Sequence, residues 1–155
     1  RQWGSTTFVG YLPDTFGHSA DMPTLLHQAG MDTAIVWRGV PPHLSPVFWW
    51  QSPTQPEAKV LVYHLPQGYF QNILHDPDLT AEQRQEAFNQ LVQQLIDAHK
   101  GLPVLLPLGG DHLGPTPHRD LIAGLPVVHP AEFMHRLKAA SPDNLPTFQG
   151  ELMDN

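Results

Sequence analysis

Continuous apolar runs alternate along this chain with segments in which apolar residues recur at helical spacing. Thr6–Leu12 reads as a strand, and Pro13 ends its hydrogen-bonding run. Ser19 as an N-cap opens a helix through Met22, Leu25, Leu26 and Ala29, spaced i, i+3, i+4, i+7, which Gly30 closes. Met31–Val40 is a second strand whose Ala34-Ile35-Val36-Trp37 centre is apolar throughout, as in a strand covered on both faces. Pro41–Ala58 is a proline-punctuated excursion in which Val47-Phe48-Trp49-Trp50 forms one arm of a hairpin, and Lys59–Leu65 is a third strand. Thr80 and Gln83 make a capping box that opens the strongest helix, Ala81–His99, with Phe88, Leu91, Val92, Leu95 and Ile96 on one face. Leu102–Leu108 and Gly124–His129 read as fourth and fifth strands, and Pro130 at N1 starts a last helix through Phe133, Leu137 and Ala140. This order predicts an α/β fold, a mostly parallel sheet with crossover helices, in one domain.

Composition narrows the function classes. A chain of 155 residues is enough for one domain and one core. The formal charge of -7, with its eight Lys and Arg scattered singly, leaves no basic stripe to neutralise phosphates, so no nucleic-acid partner is expected. No apolar run approaches the roughly 20 residues that span a bilayer, so no membrane partner is expected either. Zero Cys removes disulfides, thiol nucleophiles and Cys-based metal sites. With no signal-peptide pattern and no Asn-x-Ser/Thr acceptor, a reducing, cytoplasmic setting is expected. The opening residue Arg1 suggests a piece of a longer chain. Seventeen Pro, clustered at Pro41-Pro42, Pro46, Pro53, Pro56, Pro115 and Pro117, suggest stiff, ordered loops.

Candidate chemistry sits where strands end. Gly10-Tyr11-Leu12-Pro13-Asp14-Thr15-Phe16-Gly17-His18 carries a carboxylate at a strand-to-helix switch, the position where α/β folds bind ligands. Leu108-Gly109-Gly110-Asp111-His112 repeats the pattern, and two acids delivered by two strand ends suit acid–base or nucleophilic catalysis. Each also has a plain account: an Asx turn for Asp14, turn chemistry after two glycines for Asp111. His112 could orient Asp111 or be a surface histidine. Arg38 could face a substrate or pair with Asp32 or Glu57, and Trp49 and Trp50 could form a sugar platform or pack in the hairpin. The ten His show no His-x-His or His-x₃-His pair, and individually read as solvated or satisfied. Absence of Gly-x-Gly-x-x-Gly, a P-loop and Gly-x-Ser-x-Gly argues against dinucleotide, nucleoside-triphosphate and serine-hydrolase chemistry.

Taken together, the segment Gly10–His18 with Met22-Pro23, Val36-Trp37-Arg38-Gly39-Val40, Phe48-Trp49-Trp50, Leu65-Pro66-Gln67-Gly68-Tyr69, Leu108–His112 and Gln149-Gly150-Glu151-Leu152 resembles glycoside hydrolase family 38, the α-mannosidases, in its bacterial branch. The resemblance runs the length of the chain and implies a retaining, metal-dependent hydrolase of α-mannosides or mannose-containing oligosaccharides. It implies part of a seven-stranded (β/α) barrel, and a zinc or other divalent cation gripping two vicinal sugar hydroxyls. By position, Asp14 is the nucleophile and a metal ligand, and Asp111 the general acid/base. Arg38, Tyr69, His112 and Trp49 fall at substrate-contacting positions. The family's His-x-Asp near the start of the barrel and its later His-Asp segment have no counterpart, so the chain is expected to be a central slice of the catalytic domain. Such a slice would lack turnover and expose parallel sheet edges open to self-association or to the rest of the parent chain. A non-catalytic sugar-binding domain and a metal-dependent carbohydrate deacetylase are the alternatives.

Overall fold

The computed structural model describes residues 8–71, 75–114 and 119–153. A five-stranded sheet forms its centre, ordered β1 (Gly10–Leu12), β3 (Thr33–Val36), β5 (Lys59–His64), β4 (Val47–Gln51), β6 (Thr147–Phe148). β1, β3 and β5 run parallel, β4 returns antiparallel against β5 as the hairpin arm expected from sequence, and β6 lies parallel to β4. The fold is α/β with a mostly parallel sheet. Two-residue strands β2 (Gly17–His18) and β7 (Leu152–Met153) form a separate antiparallel clasp.

The continuous apolar runs are sorted by the two-residue period of extended chain. Ala34, Val36, Phe48, Trp50, Val60 and Val62 face one side, where Leu26 of α1 (Met22–Gln28) and Leu152 pack on them. Ile35, Val47, Leu61, Tyr63 and Leu65 face the other, covered by Phe133, Met134 and Leu137 of α3 (Pro130–Ala140). α2 (Ala81–His99) joins that second side: its terminal His99 stacks on Tyr63 at 5.0 Å between ring centres. Both faces are therefore covered, as the wholly buried strand Thr33–Val36 requires. Among the described residues no helix is long and apolar enough to cross a membrane.

α2 begins with the expected reciprocal cap, Thr80 Oγ1 accepting from Gln83 N–H and Gln83 Oε1 accepting from Thr80 N–H. α1 departs from expectation. Its N-cap is Asp21 rather than Ser19, and the Asp21 side chain turns away to accept from Ser52 and Thr54 hydroxyls at 2.8 and 2.6 Å.

Two expected strands do not form. Leu102–Leu108 forms no strand among the described residues, because Pro103 and Pro107 remove amide donors that a ladder would use. It is anchored instead by a side chain: Leu105 N–H donates to Tyr63 Oη at 2.9 Å. Gly124–His129 is likewise irregular, with Gly124 at φ +89, Pro126 lacking its donor and Val127 85% exposed.

Candidate active site

Asp14 and Arg38 stand just beyond the carboxyl ends of two neighbouring parallel strands, β1 and β3. Trp37 N–H donates to Leu12 O at 3.4 Å and keeps the two strand ends together. Past Trp37 the chain turns at Gly39, whose φ is +78. A Cβ there would lie 2.6 Å from the Leu152 carbonyl carbon, so glycine lets this turn lie directly on β7. Arg38 is thereby aimed back across the sheet end, and its Nε donates to Asp14 Oδ1 at 2.6 Å. Its guanidinium lies over two rings, 4.2 Å from the centre of Phe16 and 4.0 Å from that of Trp37. An ion pair between partly exposed groups contributes little by itself, but two aromatic faces against the cation add to it and help fix its orientation. Neither Asp32 nor Glu57 is the Arg38 partner: Asp32 pairs with Lys138 on α3.

The second acid arrives by a different route. Asp111 follows no strand; it sits in a turn set by Gly109 at φ +127 and by His112, a non-glycine residue at φ +56. Gln71 N–H donates to Gly109 O at 2.8 Å, which ties this turn to the segment after β5. That segment makes its own turn, Gly68 N–H to Leu65 O at 3.0 Å, with Gly68 at φ +81. The result presents Tyr69, whose hydroxyl donates to Asp111 Oδ1 at 3.0 Å. His112 Nε2 is 3.8 Å from the same oxygen, with its side chain 94% exposed.

The two acids meet electrostatically at Tyr69. Its hydroxyl is pushed above the ordinary phenol range, chiefly by burial, then by the hydrogen bond to Asp111 and the negative charges of Asp111 and Asp14, with Arg38 opposing. Asp14–Arg38 and Tyr69–Asp111 are thus two bonded pairs joined through the Trp37 ring, which meets the Arg38 guanidinium at 4.0 Å and the Tyr69 ring at 5.4 Å. His112 lies beside Asp111. Trp49 is placed elsewhere: it lies mid-strand on β4, opposite Leu61 and beside Thr147, with Lys59 Nζ 4.9 Å from its ring centre. An apolar cavity of about 680 Å³ opens on the α2–α3 side and has Tyr69, Leu65, Leu95 and Leu105 in its wall, but neither carboxylate.

Sequence reasoning missed the aromatic frame. Trp37 read as strand core, and Phe16 and Phe70 as nothing in particular, yet Trp37, Tyr69 and Phe70 form a mutual edge-to-face cluster with centres 5.0–6.2 Å apart. The available signal was adjacency: each ring neighbours a candidate polar residue or lies two from one. His18 is also not solvated. It is 2% exposed, edge-on to Trp50, with neither ring nitrogen hydrogen-bonded among the described residues, and burial holds its imidazole below the usual range.

A zinc ion takes three or four protein donors. Among the described residues no three His, Asp or Glu side chains gather around a point that could hold one, and Asp14 gives one oxygen to Arg38. The described donors do not fit a complete zinc centre.

A family model described as the glycosyl hydrolases family 38 N-terminal domain matches residues 1–151. That places the likeness in the N-terminal domain rather than in the central slice expected from sequence. No curated protein matches. Among solved structures, the crystal structure of an alpha-mannosidase from Enterococcus faecalis V583 superposes with a TM-score of 0.75 at 24% identity, over 97% of this chain and 18% of that one. The chain therefore spans less than a fifth of that enzyme's length, and shares its fold over nearly all of its own. With the family model matching almost end to end, this chain belongs to glycosyl hydrolase family 38.

Proposed function

We propose that this chain supplies the nucleophile and the general acid/base of a retaining α-mannosidase, acting on α-mannosides or mannose-containing oligosaccharides. The observation that carries the proposal is the run of contacts between the two acids: Asp14 to Arg38 at 2.6 Å, Arg38 to the Trp37 ring at 4.0 Å, Trp37 to the Tyr69 ring at 5.4 Å and Tyr69 to Asp111 at 3.0 Å. Retention needs two carboxyl groups about 5–5.5 Å apart, one to attack and one to donate a proton. Two such acids share a cleft most cheaply when one is ionised and the other protonated. Asp14, paired with Arg38, is the attacking carboxylate. Its free oxygen bonds to the anomeric carbon as the glycosidic bond breaks, giving a covalent glycosyl intermediate. Asp111 is the acid: once it has taken a proton on the oxygen that Tyr69 does not bond, it passes that proton to the leaving oxygen. In the second half Asp111 takes a proton from water, which attacks the anomeric carbon and frees Asp14. The Tyr69 oxygen, its proton engaged by Asp111, can accept from a sugar hydroxyl, and Arg38 and His112 are the neighbouring side chains proposed to contact the substrate.

A zinc or other divalent cation at Asp14 would need at least two further donors from beyond the described residues, and no step above depends on it. On that ground the 155 residues alone are expected to release no nitrophenol from a nitrophenyl α-mannoside. In an enzyme carrying this chain, Asp14→Asn should abolish turnover and Asp111→Asn should lower it about a thousandfold. A sugar-binding module would keep its mannose affinity in both variants and show no turnover to lose. Full activity in Asp14→Asn would refute the assignment.

A further inference from the structure

The two carboxylates stand on loops, with side chains 44% exposed in both cases. Asp14 at least follows a strand; Asp111 does not, since the segment before it forms no strand among the described residues. Something other than the sheet must set the distance between them. A continuous run of contacts does so: Asp14 to Arg38 Nε at 2.6 Å, the Arg38 guanidinium to the Trp37 ring at 4.0 Å, Trp37 to the Tyr69 ring at 5.4 Å and 65°, and Tyr69 Oη to Asp111 at 3.0 Å. Trp37 is the middle of that run. Its indole is itself boxed: Phe70 stands edge-on at 6.2 Å, and Gly68 passes so close that a Cβ would lie 3.3 Å from Cε2 and Cζ2. Its backbone N–H bonds Leu12 O, at the end of the strand that leads to Asp14.

We infer that Trp37 is a positioning residue, a rigid spacer that fixes the separation of Asp14 and Asp111 by holding Arg38 on its face and Tyr69 on its edge. It touches neither reacting carboxylate. A rigid aromatic suits the task because it has two side-chain torsions and a large, flat contact area. A retaining mechanism makes the spacing matter: a gap wider by an ångström or two approaches the about 6.5–9.5 Å that accommodates water and suits inversion.

This inference rests on the proposed α-mannosidase reading for its kinetic consequences but not for its geometry, and the test separates the two. In an enzyme carrying the chain, Trp37→Leu should lower kcat about a hundredfold, the cost of roughly an ångström of misplacement, with KM changed far less. Trp37→Phe, which keeps a ring on which Arg38 and Tyr69 can rest, should recover most of the loss. In the 155-residue chain, ¹³C-labelled tyrosine should show the Tyr69 hydroxyl titrating at lower pH in Trp37→Leu than in the wild type, because the ring no longer holds the hydroxyl on Asp111; Trp37→Phe should stay near the wild type. A merely structural role would change melting and leave that titration in place. If Asp14→Asn and Asp111→Asn keep full turnover, the mannosidase reading fails and the tyrosine titration alone judges the spacer. If they lose it while Trp37→Leu keeps wild-type kcat and wild-type Tyr69 titration, the spacer is overturned and the active-site assignment stands. Should Trp37→Leu not fold, Trp37→Phe decides: loss of the Tyr69 shift on an intact ring would overturn the inference, and its retention would support it.

Discussion

Lowering the pH should destabilise this protein through a histidine at the sheet end. His64 is the last residue of β5. Burial pushes its imidazole down from 6.5 to about 4; its hydrogen bond to Trp37 backbone opposes that shift, and the nearby His99 adds to it. The folded protein therefore refuses a proton that the unfolded chain accepts. Stability tied to this residue is fully present above 6.5 and is lost as pH falls toward 4. At about 1.4 kcal/mol per unit, the displacement is worth about 3 kcal/mol below both values, and most of that is gone by about pH 4.5. Burial also lowers His18 and His99, which steepens the same slope. Against a total stability of about 5–15 kcal/mol for a single domain, such a loss is a large fraction.

The test is urea unfolding, followed by far-UV circular dichroism, from about pH 7 to about pH 4.5 in the wild type and in His64→Gln. Glutamine can still donate to the Trp37 carbonyl but does not titrate. The variant starts less stable from imperfect packing, so the quantity to compare is the change with pH rather than the offset. Wild type should lose about 2–3 kcal/mol more than His64→Gln across that window. Carboxylate contributions are common to both proteins and cancel in the difference. Parallel stability curves would refute the reasoning, because they would mean His64 takes its proton as readily folded as unfolded.

Gly39→Ala should destabilise by about 3 kcal/mol in the same denaturation assay, since it adds a side chain at φ +78 and sets a Cβ against the Leu152 backbone. Because that turn aims Arg38, the variant should also weaken the Arg38–Asp14 pair. Tyr63→Phe should cost about 1–3 kcal/mol by leaving the Leu105 N–H without its acceptor, and hydrogen exchange at Leu105 should quicken; unchanged exchange there would mean the segment is held by something else.

What could be read from the sequence divides by how local the causes are. α2 is found residue for residue, because its cap is a contact between positions 80 and 83 and its apolar face lies within one helix. β3 and β5 are found because a strand covered on both sides needs no partner to be recognised. Leu102–Leu108 has the same apolar look and fails, since propensity registers its leucines and valine while two prolines remove the donors that make a run into a strand. β2, β6 and β7 carry two residues each, and only their pairing across the fold defines them. Ser19 loses the N-cap to Asp21 for a similar reason: Asp21 is held in place by Ser52 and Thr54, more than thirty residues away.

The candidate site shows the same division more sharply. Asp14 and Arg38 were legible singly, as polar residues just past apolar runs, because a strand end is a local feature. That they bond each other was not, since nothing in the sequence prefers Asp14 over Asp32 as the guanidinium's partner. The choice is made by Gly39, which turns the chain onto β7, and by Phe16 and Trp37, which leave the cation one direction to point. Asp111 was named for a strand that is absent, and it is placed through Gln71, Gly109 and Tyr69. The candidate groups of this site are therefore written in its polar residues, while their spacing is written in glycines and aromatic rings that a pattern of hydrophobic and polar positions counts only as turn and core.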